Sequence, residues 1–315
     1  MDFAAKRPAT LTHYEALVLQ ALKRVAASLD EALDLQALAA PACMAPLHFH
    51  RVFRGLVGET PLQLHRRLRL ERAAWRLAAR PEESVLHIAL EAGYETHEAF
   101  TRAFREAFGR SPTEQRALAA AGGRAPSHRL QAACGVHAAG PAVEFPAETA
   151  ALFTHLGAPA MDVSIEFRNE IRVAALAHVG PYNTIGAAFE RLGELAGPAG
   201  LLSTPAALMI AIYHDDPETT PAAQLRSAAC VSVGSKAAIP APLLQLRLPA
   251  GRWASTLHRG PYAGLGDSWQ RLLGQWLPSS GLRMGAGDCC EVYLNMPGAV
   301  PEQDLQTLLC VPVEG

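Results

Sequence analysis

The chain repeats itself twice, with two different periods, and this constrains its fold more than any other feature. In the first half, an offset of 51 places Phe49, Arg51, Phe53, Arg54, Gly58 and Pro61 on Phe100, Arg102, Phe104, Arg105, Gly109 and Pro112. In the second half, an offset of 80 places HVGPYNTIGAAFERL (178–192) on HRGPYAGLGDSWQRL (258–272), and carries Tyr213 onto Tyr293 and Pro217 onto Pro297. Two unrelated repeats imply two domains, each pseudo-symmetric. At 315 residues the chain is about twice the length of a typical single domain, which agrees.

The division falls where periodicity stops. Residues 1–118 are rich in Leu, Ala and Arg at helical spacing, which predicts an all-α domain. Residues 119–159 open AAAGGRAPSH and read as an Ala/Gly/Pro-rich linker. Residues 160–315 alternate short Val/Ile/Tyr runs with two helix-like segments, which predicts an α+β domain of two strand-helix-strand-strand modules. The first 128 residues carry a net charge of +3 and the remainder −5, a weak pointer to a polyanionic partner for the first half.

Several classes are excluded at this level. No apolar run reaches the roughly 18–20 residues of a membrane span. The start, MDFAAKRPATLTHYE, has no continuous apolar stretch after its basic pair and does not read as a secretory signal. The six cysteines form no CxxC pair and no Cys/His cluster at zinc spacing. The expectation is a reduced cytoplasmic protein with no membrane contact, no structural metal and no cofactor.

In APLHFHRVFRGL (45–56), Phe49, Val52, Phe53 and Leu56 recur at i, i+3, i+4, i+7, the buried stripe of a helix. Leu47, His50, Arg51 and Arg54 are then expected on the outward face. The short run LQALAAPA (35–42) ahead of it completes a helix-turn-helix. The second copy has LHIALEAGY (86–94), Gly93 at the turn and Thr96 as N-cap. Its second helix is expected to bury Phe100, Ala103, Phe104 and Ala107 and to expose His97, Glu98, Thr101, Arg102 and Arg105. Between the copies, PLQLHRRLRLERAAWRLAAR (61–80) can form one helix of roughly 27 Å. That is close to the roughly 34 Å between successive major-groove faces of B-DNA. Its five arginines from Arg66 to Arg76 are expected to seek phosphate.

With these residues in view, 12–118 resembles the DNA-binding domain of AraC/XylS-type transcription regulators, including the closing string GYETHEAFTRAFREAFGRSP (93–112). The resemblance implies base-reading positions at Leu47, His50 and Arg51 in the first unit, and at His97, Glu98, Thr101 and Arg102 in the second. Arg51 and Arg102 suit bidentate guanine contact, with phosphate contact the other role open to each. Glu98 could accept from a cytosine amino group. The chain departs from the family pattern at Cys43, where a turn glycine is usual, and at Ala45, where a capping serine is usual. Pro41 is expected to shorten the preceding helix.

In the second half, H-x-G-P-Y-x-x-[IL]-G reads as strand, Gly-Pro turn and helix, with Pro181 and Pro261 in the first helical turns. His178 and His258 lack an adjacent nucleophile and are read as structural. The copies differ informatively where Glu291 aligns with Ala211. Residues 289–294 read C-C-E-V-Y-L, a strand that puts Cys289, Glu291 and Tyr293 on one face. A carboxylate there is costly unless satisfied by backbone or water, or held ready for a ligand. Trp253, Tyr262, Trp269, Trp276 and Tyr293 are candidate walls, a setting suited to a lipophilic cation.

Residues from about 162 to 313 resemble the GyrI-like effector-binding domain, through HVGPYNTIG, AIYHDDP, LRSAACVSV, LPAGRWASTLHRGPY and CEVYLNMP. The resemblance implies a central cleft in which the glutamate at position 291 contacts cationic ligands; some relatives are hydrolases. The combination resembles the Rob-like regulators. It implies a regulator that binds double-stranded DNA and a small-molecule effector, with RNA polymerase as a further partner. The competing expectations are a C-terminal hydrolase, or a sequestering, toxin-buffering module attached to a DNA-binding domain.

Overall fold

The computed structural model describes residues 9–42, 44–123, 134–139, 142–146, 161–203, 207–215 and 220–315. Cys43, Pro217 and most of 119–159 lie outside them.

Among the described residues, seven helices form the first half: α1 (Ala9–Ala27), α2 (Leu35–Ala39), α3 (Pro46–Val57), α4 (Pro61–Ala79), α5 (Val85–Glu91), α6 (His97–Phe108) and α7 (Pro112–Ala120). Their ends are fixed by local chemistry. Thr60 and Gln63 close a reciprocal capping box on α4, and Ser111 and Glu114 close another on α7. Thr96 caps α6 by accepting from Ala99 N at 3.1 Å. Beyond α2 the chain tightens into a 3₁₀ turn over Ala40–Ala42, where Pro41 has no N–H to continue the α-helical ladder. Gly93 has φ +81°, and a Cβ there would lie 2.4 Å from Arg69 Nη1. The turn between α5 and α6 therefore selects glycine.

The expected stripes are buried: Phe49, Val52, Phe53 and Leu56 on α3, and Phe100, Ala103, Phe104 and Ala107 on α6. The α4 arginines correct the sequence reading. Arg67 is buried and bonds Glu59, Glu71 and the Val136 carbonyl. Arg69 donates to the Leu29 and Glu31 carbonyls, and Arg72 pairs with Asp30. Arg76 pairs with Glu83, while Arg66 donates to the Tyr94 hydroxyl. Spacing could not show that acidic and carbonyl partners surround this helix, so Arg67, Arg69, Arg72 and Arg76 staple it, while Arg66 stays exposed. The described part of the linker is also more regular than its composition suggests. Strands β1 (His137–Ala139) and β2 (Ala142–Glu144) pair antiparallel, and Glu71 accepts from Ala138 N at 2.9 Å.

The second half is one antiparallel sheet with helices on one face. Its elements are β3 (Ser164–Arg168), β4 (Ile171–Val179), α8 (Ile185–Ala196), β5 (Met209–Tyr213), β6 (Arg226–Ser232), β7 (Leu244–Leu248), β8 (Gly251–Arg259), α9 (Leu265–Arg271), β9 (Arg283–Met284), β10 (Cys290–Tyr293) and β11 (Gln306–Glu314). The order β3-β8-β11-β10-β5-β6-β4-β7 is a palindrome under the 80-residue offset, with β9 beside β11. Each module also has a leading strand, β3 or β7, that the sequence reading left out. Each leading strand pairs with the first long strand of the other module, β3 with β8 and β7 with β4. Pro181 and Pro261 precede one-turn 3₁₀ segments, Tyr182–Thr184 and Tyr262–Gly264, so α8 and α9 start later than predicted. After α9 the helix loosens into a π-turn over Leu272–Trp276.

The two sheet faces have separate cores. One collects Val173, Ile210, Ile212, Cys230, Trp253, Cys290 and Val292; the other collects Ala174, Ala211 and Ala229 beneath Ile185, Ala188 and Leu192 of α8. Alternation along each strand makes this division. Residues Ala39–Val52, which include the first half of α3, belong to the same compact unit as the sheet; Glu15–Leu38 and the described residues from Phe53 to Pro146 belong to the other.

Candidate functional site

The pseudo-twofold axis places the equivalent strands β5 and β10 side by side at the centre of the sheet, with Glu291 opposite Ala211 and Tyr293 opposite Met209. The Glu291 carboxylate is 3 % exposed, on the helix-covered face. Trp269 of α9 donates its Nε1–H to Glu291 Oε1 at 2.7 Å, and the Tyr293 hydroxyl donates to Oε2 at 2.8 Å. The Tyr213 hydroxyl lies 3.2 Å from that of Tyr293. Burial pushes the Glu291 carboxyl above its ordinary range, while Trp269, Tyr293, the Arg51 charge and Tyr213 pull it back. The same burial, with the carboxylate beside them, raises Tyr213, Tyr262 and Tyr293.

An aromatic group surrounds this carboxylate. Tyr262 and Phe189 lie 5.3 and 5.4 Å from Tyr293 by ring centroid, and Tyr182 lies 4.7 Å from Tyr213. Tyr182, Phe189 and Tyr213 were not among the walls expected from the sequence, although the repeat pointed to them. The 80-residue offset carries them onto Tyr262, Trp269 and Tyr293.

Trp253 is a correction: it lies on the opposite face, its Nε1–H bonded to the Pro249 carbonyl. There it lines an apolar cavity of about 200 Å³ with Cys290 and Val292. Strand parity decides this, because Glu291 and Cys290 point to opposite sides. Trp276 is half-buried in the π-turn, and no contact joins it to Glu291 among the described residues. His178 bridges the hydroxyls of Ser227 and Thr184, and His258 bridges the Ser268 hydroxyl and the Pro261 carbonyl. Both rings brace the Gly-Pro turns.

The positions expected to read DNA divide between the two copies. On α6, His97, Glu98, Arg102 and Arg105 are exposed and Thr101 is half-buried, one polar face over the core of Phe100, Phe104 and Phe108. On α3, Arg54 is exposed, but Leu47 and His50 are buried, against the outward face expected of them. The reason is tertiary: the first half of α3 packs within the sheet unit. Gln270 of α9 donates to the Arg51 carbonyl at 3.0 Å, and the Arg51 guanidinium carbon lies 5.1 Å from the Trp269 ring centroid. The neighbouring His48 is buried, its imidazole pushed down to about 3, and its Nδ1 lies 3.9 Å from Cys289 Sγ.

Among the described residues no His/Cys/Asp/Glu group is arranged to hold a metal, and no helix is long and apolar enough to cross a membrane.

Residues 161–314 match the GyrI-like small molecule binding domain, and residues 38–117 match a helix-turn-helix domain. A DNA gyrase inhibitor from Yersinia enterocolitica is 36% identical over 129 residues, 39% of this chain and 80% of that protein. An HTH-type transcriptional regulator, ArgR, from Pseudomonas aeruginosa is 29% identical over 97 residues, 31% of this chain and 29% of that protein. A solved AraC-type transcriptional regulator from Chromobacterium violaceum superposes with a TM-score of 0.32 at 25% identity, covering 35% of this chain and 96% of that one. A helix-turn-helix pair ahead of a duplicated sheet with a central carboxylate thus has matching family models on both sides, and the chain belongs to the AraC-type transcription regulators that carry a C-terminal GyrI-like small-molecule-binding domain.

Proposed function

We propose that this regulator responds to a lipophilic cation bound at Glu291, and that it reads operator DNA through α3 and α6. The observation that carries the ligand reading is a buried carboxylate held by Trp269 and Tyr293 beneath Tyr262, Phe189 and Tyr213. A buried carboxylate is costly in an apolar setting, and a cation with flat apolar groups offsets that cost by charge pairing and cation–π attraction together. On the DNA side, Arg102 suits a guanine edge and Arg105 a phosphate. In this reading residues 1–118 bind DNA, 119–159 link, and 160–315 bind the effector. The protein acts in the cytoplasm, with RNA polymerase as its partner at a promoter.

The ligand need only favour one arrangement of the chain by differential affinity. We assign no catalysis to the cleft. Hydrolysis calls for a second group to handle protons, and the groups bonded to Glu291 are hydroxyls and an indole N–H that already hold it. Titrating tetraphenylphosphonium into the protein by calorimetry tests this reading. Saturable binding that Glu291→Gln weakens supports it; equal binding by wild type and Glu291→Gln rejects it. A second reading, action on DNA gyrase, is favoured by the name of the Yersinia relative. A supercoiling assay with purified gyrase separates the two.

A further inference from the structure

We propose that Arg51 of the first recognition helix is an internal occupant of the cation site, so that one side chain is contested between effector binding and DNA reading. The proposal rests on the reading of Glu291 as a cation site and names how that site is regulated.

The geometry carries it. Arg51 is one of the sequence-expected base readers, yet its guanidinium carbon lies 5.1 Å from the centroid of the Trp269 ring. That is within the roughly 6 Å at which a cation is attracted to an aromatic face. Trp269 is the residue whose indole N–H holds the Glu291 carboxylate at 2.7 Å. The arginine therefore meets this site with the chemistry of the proposed ligand, a cation on an aromatic wall beside a carboxylate.

The backbone is held as well as the side chain. Gln270, next to Trp269, donates to the Arg51 carbonyl at 3.0 Å, and three residues earlier His48 packs on Cys289, two residues before Glu291. Leu47, His48, Phe49 and His50 are all buried. A guanidinium stacked on Trp269 cannot also reach the O6 and N7 of a guanine. Leu47 and His50 cannot meet base edges while they are buried. A small cation that takes the Trp269 face competes with Arg51 and releases this part of α3. By thermodynamic reciprocity, DNA that captures Arg51 opens the site to the effector.

The test uses the full chain and tetraphenylphosphonium. In calorimetric titrations, Arg51→Gln should bind the cation roughly 3- to 30-fold more tightly than wild type, because its competitor is gone. Equal or weaker affinity in the variant overturns the proposal and leaves a cation site at Glu291 standing. A second measurement needs no ligand: amide hydrogen exchange across residues 46–52 in wild type and Gln270→Ala. Loss of the Gln270 bond should speed exchange there several-fold and leave α6 unchanged. Unchanged exchange at 46–52 overturns the docking. If no form of the protein binds tetraphenylphosphonium but exchange rises in Gln270→Ala, the docking is supported and the ligand reading falls.

Discussion

Glu291 stands directly across the β5–β10 ladder from Ala211, the residue that holds its own position in the other copy of the repeat. The pseudo-twofold axis therefore passes between a carboxylate and a methyl group. The helices above differ in step. Trp269 offers an N–H to Glu291, while its counterpart Phe189 has no donor and Ala211 needs none. The two copies share an aromatic surface and differ at these two positions, so only one half of it carries a carboxylate and the N–H that holds it.

Glu291→Gln keeps the shape and removes the charge. Tetraphenylphosphonium affinity should fall by about 2 kcal/mol or more, roughly thirtyfold. Affinity for neutral triphenylphosphine oxide should hold. Ala211→Ser, at the symmetric position, should change neither. Calorimetry on the three proteins with both ligands checks this, and parallel losses for both ligands would make Glu291 structural.

The Glu291 carboxyl is raised by burial above its ordinary value of 4.5. Between that value and the raised one, the native protein holds a proton that the unfolded chain has released. Stability therefore falls as pH rises through the window. Glu291→Gln should remove that slope, so its advantage over wild type in urea unfolding should grow with pH. Cation affinity should rise over the same window in wild type, since binding favours the ionised form, and stay flat in the variant.

Trp269→Phe keeps a ring and deletes the N–H that holds Glu291. It should push the carboxyl further up and weaken cation binding by about 1–3 kcal/mol. Trp253→Phe, on the other sheet face, should leave cation binding unchanged even where it lowers the melting temperature. Paired titrations and thermal melts distinguish the two tryptophans.

Arg67→Met should act on stability. Its guanidinium is buried between Glu59 and Glu71 and bonds the Val136 carbonyl, so its loss leaves two carboxylates without their cation. A cost of about 3–5 kcal/mol is expected in urea unfolding. A variant as stable as wild type would place this arginine among the surface charges the sequence suggested.

Arg102→Ala should cost about 1–3 kcal/mol at one base position and relax specificity there. Competition between operator and random-sequence duplexes measures it, with Arg105→Ala as the comparison for a phosphate contact. Equal losses on both duplexes would move Arg102 from base reading to backbone contact.

Local chemistry in the sequence was enough for much of this molecule. Helical periodicity placed the buried stripes of α3 and α6, Thr96 and Gly93 placed a cap and a turn, and the 80-residue repeat placed the modules. Strand parity set Glu291 and Tyr293 on one face, because alternation along a strand needs no partner to be read. The sequence could not show what lies on the far side of each residue. Arg67, Arg69, Arg72 and Arg76 looked like solvated charge until Asp30, Glu59, Glu83 and several carbonyls closed on them. Trp253 looked like a cleft wall until pairing with β3 and β11 fixed its face. The leading strands β3 and β7 carried too weak a pattern to find, since each is held by the opposite module. Tertiary structure alone brought Arg51 to Trp269, 218 positions along the chain, because attraction between a cation and a ring depends on distance in space and not on spacing in sequence.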